Sequence, residues 1–174
     1  MRNVLGLAAL ALTLLLSSGP QAIALPGDPS LIAGVRSGWQ DAMNNRDLFG
    51  MLAWYGPGAV VLPAGEFVRL GAEEIADWHG RWLFGADVYY VFEALSLHID
   101  GRWALEEWVA DITVTSRGDG ETTIGGDPLQ FRQRGFRVYR KNRAGHWRID
   151  REVWAGDTPE IPELQRFYAG YLNS

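Results

Sequence analysis

The sequence predicts an α+β fold in which three N-terminal helices cover one face of a strongly curved antiparallel sheet. Two observations carry this. In the first half of the chain, apolar residues recur at three- and four-residue spacing. From Val88 onward, four long segments rich in β-branched and aromatic residues follow one another, separated by turn signals. Helical patterns first and strand patterns afterwards mean segregated layers rather than alternating βαβ units.

Element by element, Ile32, Val35, Trp39 and Met43 define one face of a helix from Ser30 to Met43, with Ser30 placed to cap it. Asn44, Asn45 and Asp47 form a polar break. Leu48, Met51, Leu52 and Tyr55 then suggest a second, shorter helix that Gly56-Pro57-Gly58 would end. Ala59 to Leu62 and Phe67 to Arg69 flank Pro63-Ala64-Gly65-Glu66 and read as a hairpin. Gly71 opens a third helix, with Ile75, Trp78 and Trp82 in line on one face. The strands are Val88 to Ile99, Trp103 to Thr115, Phe131 to Lys141 and Trp147 to Trp154, with turns at Asp100-Gly101 and Ala144-Gly145.

Ahead of these elements, Arg2 and the apolar run Val4 to Leu16 precede a helix-breaking Ser17-Ser18-Gly19-Pro20 and the small-residue pair Ala22 and Ala24. This is the pattern of a cleaved signal peptide over residues 1–24. The apolar run, at about 13 residues, is shorter than the roughly 20 that a membrane-spanning helix needs. The expected mature protein is therefore exported, periplasmic or extracellular, with no membrane anchor once the signal is gone. The chain has no Cys, so no disulfide can staple it. Residues 25–158 are enough for one domain with its own core, followed by a C-terminal helical tail over 159–174 in which Leu164, Phe167, Tyr168 and Tyr171 are helically spaced. A formal charge of -5 argues against nucleic acid or an anionic membrane as the main partner. The cations of Arg132, Arg134, Arg137, Arg140, Lys141 and Arg143 are the local exception, and part of this run reads as the solvated edge or face of a strand.

Three stretches carry a family resemblance: Trp39-Gln-Asp-Ala-Met-Asn-Asn-Arg-Asp47-Leu48, Tyr55-Gly-Pro-Gly-Ala-Val-Val-Leu-Pro63 and Gly71-Ala-Glu-Glu-Ile75. In order and spacing they resemble the opening of the nuclear transport factor 2-like (NTF2-like) superfamily, in particular its SnoaL-like and DUF4440 branch. Asp100-Gly-Arg-Trp-Ala-Leu-Glu106 and Arg137-Val-Tyr-Arg-Lys-Asn-Arg-Ala-Gly-His-Trp147-Arg-Ile149 are similar to the same branch and to the association domain of calmodulin-dependent kinase II. The resemblance covers residues 30–155. It implies a cone-shaped sheet packed on three helices (NTF2-like, cystatin-like), a pocket between helices and concave sheet, and a homodimer. The ketosteroid isomerases of this superfamily use a Tyr on the first helix, an Asp base after the first strand and a protonated Asp on a later strand. Those places fall on Trp39, on Leu62 or Pro63, and near Arg134, so that route to proton abstraction from carbon is lost. Arg117 and Asp119 have part of the spacing of an epoxide-hydrolase site but lie in a glycine-rich stretch.

Within Trp103 to Thr115, the alternating set Ala104, Glu106, Trp108, Ala110, Ile112 and Val114 is apolar except for Glu106. If that set faces the helices, Glu106 projects among aromatic side chains and needs a cation to answer it. The resemblance places Arg137 in the same pocket, which makes Glu106 and Arg137 the candidate pair, Glu106 the best candidate for any catalysis, and Arg151 a weaker second cation. Trp39, Tyr55, Trp78, Trp82 and Trp108 are the expected aromatic lining. His79 could stand at the mouth of the pocket. Scattered His98 and His146, with no Cys and no ligand-spaced motif, point to no metal, and no glycine-rich phosphate or dinucleotide fingerprint points to a cofactor. The function these features predict is binding of a small, partly hydrophobic anion. Diverged isomerase, cyclase or hydratase chemistry is the alternative, and an oligomeric assembly domain the second alternative.

Overall fold

The computed structural model describes residues 27–116 and 128–155. The expected export signal, Arg117 and Asp119, the tail Pro159 to Ser174 and the side chain of Trp82 lie outside the described residues. The elements run α1 (Asp28–Asn44), α2 (Leu48–Leu52), β1 (Tyr55–Leu62), β2 (Arg69–Leu70), α3 (Gly71–Gly85), β3 (Ala86–Asp100), β4 (Trp103–Ser116), β5 (Leu129–Lys141) and β6 (Trp147–Ala155). They form one curved six-stranded sheet of order β2-β1-β6-β5-β4-β3 with the helices against its inner face, the α+β arrangement the sequence predicts.

One feature of the sheet differs from expectation. β3 to β6 form an antiparallel meander, but β1 joins β6 in parallel, with Val60, Val61 and Leu62 beside Arg151, Glu152 and Val153. The sheet is mixed because the chain crosses from β1 through α3 and the meander before β6 returns to pair with it.

The helices bury the faces the spacing indicates. Ile32, Val35, Trp39 and Met43 are buried on α1, and Ile75 and Trp78 on α3. Ser30 is not the cap, however. α1 starts earlier, on Gly27 with φ 101°, a left-handed conformation that glycine adopts without cost, and Pro29 in the first turn has φ preset for a helix. Asp28 adds a carboxylate at the positive end of the helix dipole. It is buried, and it accepts hydrogen bonds from Lys141 Nζ (2.6 Å) and Trp147 Nε1 (3.1 Å), which fastens α1 to β5 and β6. α2 is also shorter than its apolar pattern. Asp47 caps it through the Gly50 N–H (2.8 Å), but Ile149 N–H binds the Trp54 carbonyl (2.9 Å) and Tyr55 pairs with Ile149, so β6 draws Tyr55 out of the helix and into β1. The predicted hairpin forms, with its second strand reduced to Arg69–Leu70. No helix among the described residues is long and apolar enough to cross a membrane.

Strand register sets inward side chains in rows. Glu106 on β4, Arg137 on β5 and Glu152 on β6 are direct partners across three strands. In the next row stand Trp108, Gly135 and Trp154. A Cβ on Gly135 would lie 2.0 Å from the Val153 carbonyl oxygen and 2.5 Å from the Trp108 ring. The missing side chain is what lets Trp108 lie edge-on to Trp154, with ring centroids 4.8 Å apart.

Candidate functional site

The concave face of β4 is the one the alternation selects. Ala104, Glu106, Trp108, Ala110 and Ile112 are buried, whereas Trp103, Leu105 and Asp111 are exposed. Glu106 and Arg137 are both fully buried and side by side in register, as expected. The expected ion pair between them is not made. Glu106 pairs with Arg36, which reaches over from α1, and accepts a hydrogen bond from the Tyr139 hydroxyl (2.6 Å). Arg137 turns the other way along the row, its Nε donating to Glu152 Oε1 at 2.6 Å. Each charge is matched by an opposite one, as burial requires, but the matching runs through Arg36, Tyr139 and Glu152.

A second polar chain grows from Glu152. Its other oxygen accepts a hydrogen bond from the Tyr55 hydroxyl, which in turn receives Trp39 Nε1 at 3.1 Å. His79 Nε2 lies 3.5 Å from the same hydroxyl. His79 is therefore wholly buried at the centre of the aromatic cluster, not at a pocket mouth. Burial, together with the positive charge of Arg137, pushes its pKa down to about 3, so it is a neutral imidazole at physiological pH. Burial and then the neighbouring Glu152 carboxylate raise the Tyr55 pKa well above that of a free phenol, so its proton stays in place as a donor. Burial by itself would favour loss of the Arg137 proton. The carboxylate of Glu152 outweighs it and holds the guanidinium charged.

Around this row stands an aromatic enclosure. The Arg137 guanidinium lies 4.5 Å from the ring centroids of both Trp39 and Phe92 and 5.6 Å from that of Trp108, within cation–π range. Trp154 packs on Trp39, Trp78, Phe92 and Trp108. Inside it several buried polar atoms have no hydrogen-bond partner among the described residues: both terminal nitrogens of Arg137, Nδ1 of His79, and the indole nitrogens of Trp108 and Trp154. Buried donors are nearly always satisfied in folded proteins, so such a group, gathered at one place, is chemically suited to an acceptor brought from outside. A guanidinium whose two outer nitrogens are free presents the fork that fits a carboxylate.

Of the residues singled out by sequence, Trp39, Tyr55, Trp78, Glu106, Trp108 and Arg137 come together here. Arg151 does not: it is exposed and pairs with Asp150 (2.9 Å). The site also contains Arg36, Phe92, Tyr139, Glu152 and Trp154, which sequence reasoning passed over. Arg36 follows Ile32 by four residues and precedes Trp39 by three, and Tyr139 follows Arg137 by two, so simple periodicity reaches both. For Glu152 the periodicity misleads. β6 and β5 pair through Ile149↔Tyr139 and then Arg151↔Val138, so Asp150 is an extra residue that switches the strand's phase. Among the described residues, no group of three His, Asp or Glu side chains is placed to hold a metal ion.

No family model matches the chain, and no curated protein is similar enough in sequence to count as a relative. Solved structures do match. A ketosteroid isomerase-like protein from Erwinia carotovora atroseptica superposes with TM-score 0.67 at 17% identity, over 78% of this chain and 100% of its own. A candidate calcium/calmodulin dependent protein kinase II association domain from Xanthomonas campestris gives TM-score 0.61 at 23% identity, over 81% of this chain and 96% of its own. An NTF2-like protein of unknown function from Pseudomonas putida gives TM-score 0.58 at 23% identity, over 77% and 89%. The chain has the NTF2-like fold.

Proposed function

We propose that the chain is an exported small-molecule-binding protein of the SnoaL-like and DUF4440 type, which takes a partly hydrophobic anion between its helices and the concave sheet. The observation that carries this reading is Arg137: fully buried, charged, within cation–π distance of both Trp39 and Phe92, and with both outer nitrogens unpartnered among the described residues. A carboxylate meets that fork and aromatic or aliphatic carbon meets the rings, the combination typical of small-molecule sites. Both oxygens of Glu106 are engaged, by Arg36 and Tyr139, which favours an anchoring role for Glu106 over that of a general base. The test is native mass spectrometry and solvent extraction of protein purified from its own periplasm or medium. An acidic organic molecule that copurifies with the wild type, and not with Arg137→Met, supports the reading. Two folded proteins that both come through empty would remove it.

Diverged catalysis is favoured by one observation: Tyr55, Glu152 and His79 form a buried hydrogen-bonded group in which Tyr55 keeps its proton as a donor. Assembly is favoured by another, since Val91, Trp103, Leu105 and Phe136 are exposed large apolar residues on the outer face of β3 to β5, where a second copy would cover them. Sedimentation at several concentrations separates a homodimer from a monomer.

A further inference from the structure

A second site lies away from the buried row, at the end of the sheet where the β3–β4 and β5–β6 turns meet the start of β1. There the Lys141 N–H donates to the Arg102 carbonyl (2.8 Å), and the Arg102 side chain returns hydrogen bonds from Nε (3.0 Å) and an outer nitrogen (2.8 Å) to the Lys141 carbonyl. The two turns are thereby locked together. Between them and Tyr55 to Pro57 is a cleft of about 340 Å³ lined by Arg102, Arg140, Lys141, Arg143, Arg148 and Asp150. That is five cations and one carboxylate, in a chain whose formal charge is -5.

The local ion pairs do not use up this charge. Arg140 is matched by Asp150 at 2.8 Å and Lys141 by Asp28 at 2.6 Å. Arg102, Arg143 and Arg148 have no carboxylate partner among the described residues. Arg148 is steadied by the Trp54 ring, 5.8 Å from its guanidinium, and by the Trp147 carbonyl at 2.9 Å. Three uncompensated guanidinium groups around one concavity form an electrostatic well whose attraction sums at its centre. Guanidinium forks match tetrahedral oxyanions in several directions at once. The cleft has the size of a small ligand, at the lower end of the usual range. Five of the chain's 16 Lys and Arg residues line this one concavity on an acidic chain, which fits a compact anion better than an extended polymer.

We infer that this cleft binds a compact phosphate-bearing small molecule through Arg102, Arg143 and Arg148. It is a site separate from the one around Arg137, and it stands or falls independently of what the interior binds. The probe is inorganic pyrophosphate, titrated calorimetrically into the full chain at low and at physiological ionic strength. The expected result is saturable one-to-one binding that weakens with salt and weakens roughly tenfold or more in Arg143→Gln, with a further loss in Arg102→Gln/Arg143→Gln. Arg143 makes no hydrogen bond or ion pair with a described residue, so its replacement leaves the fold intact, and Arg143→Lys should retain part of the affinity. Arg132→Gln, which alters a surface cation on the β5 outer face, serves as the control and should bind like the wild type. Absence of saturable binding, equal weakening in Arg132→Gln and Arg143→Gln, or binding only to vesicles containing phosphatidic acid and not to pyrophosphate would each overturn the inference.

Discussion

The Arg137–Glu152 pair makes the sharpest demand on the protein's stability. Glu152→Gln keeps the shape and the hydrogen bond from Tyr55 but removes the negative charge that pairs with Arg137, which is fully buried with its outer nitrogens already unpartnered among the described residues. Breaking a buried pair from one side leaves an uncompensated charge and costs about 3–5 kcal/mol. For a domain of this size each kcal/mol corresponds to a shift of about 2–4 °C in midpoint, so the melting temperature should fall by about 6–20 °C. Arg137→Met should cost a comparable amount. The double change Arg137→Met/Glu152→Leu should recover much of the loss, because an apolar pair can replace a buried ionic one. Urea denaturation followed by tryptophan fluorescence completes the double-mutant cycle. A parallel cycle on Glu106 and Arg137, which are neighbours in register with separate partners, should show a smaller coupling. If Glu152→Gln costs less than about 1 kcal/mol, the value of a solvated surface pair, then Arg137 is not held as described and the electrostatic account of the site fails.

Three further outcomes are expected. His79 has a folded pKa depressed below its unfolded value of 6.5, to about 3, so the unfolded chain takes up the proton first. Its contribution is fully present above about pH 6.5 and is lost as pH falls toward 3, so the stability difference between wild type and His79→Gln should change by up to about 1.4 kcal/mol per pH unit across that window, and a flat difference would contradict burial of the neutral ring. Tyr55→Phe removes a hydrogen bond to a carboxylate and should cost about 1.5–3 kcal/mol in chemical denaturation, with little effect if the hydroxyl is hydrated instead. Gly135→Ala forces a Cβ against the Val153 carbonyl and the Trp108 ring; a loss of about 1–3 kcal/mol with altered tryptophan emission is expected, and an unperturbed spectrum would show that Trp108 does not lie across Gly135.

Much of this architecture is written in local pattern. The 3.6-residue spacing of Ile32, Val35, Trp39 and Met43 and the two-residue alternation around Glu106 depend only on neighbouring positions in the chain, so they give the helices, the long strands and the inward direction of Glu106 without reference to anything distant. The branched and aromatic composition of the second half likewise requires strands. Tertiary structure decided the partners. Whether Arg137 meets Glu106 or Glu152 depends on which neighbouring strand its side chain leans toward, and Glu106 was already answered by Arg36 from a helix 70 residues earlier in the chain. The parallel return of β6 beside β1 decided that Tyr55 would leave α2 and place its hydroxyl on Glu152. The one-residue bulge at Asp150 decided that Glu152 faces inward and Arg151 outward, the reverse of uninterrupted alternation from Trp147 and Ile149. A strand's period fixes its faces only while its pairing is regular. An inserted residue reverses them, and the pairing that accommodates it is made with a strand elsewhere in the fold.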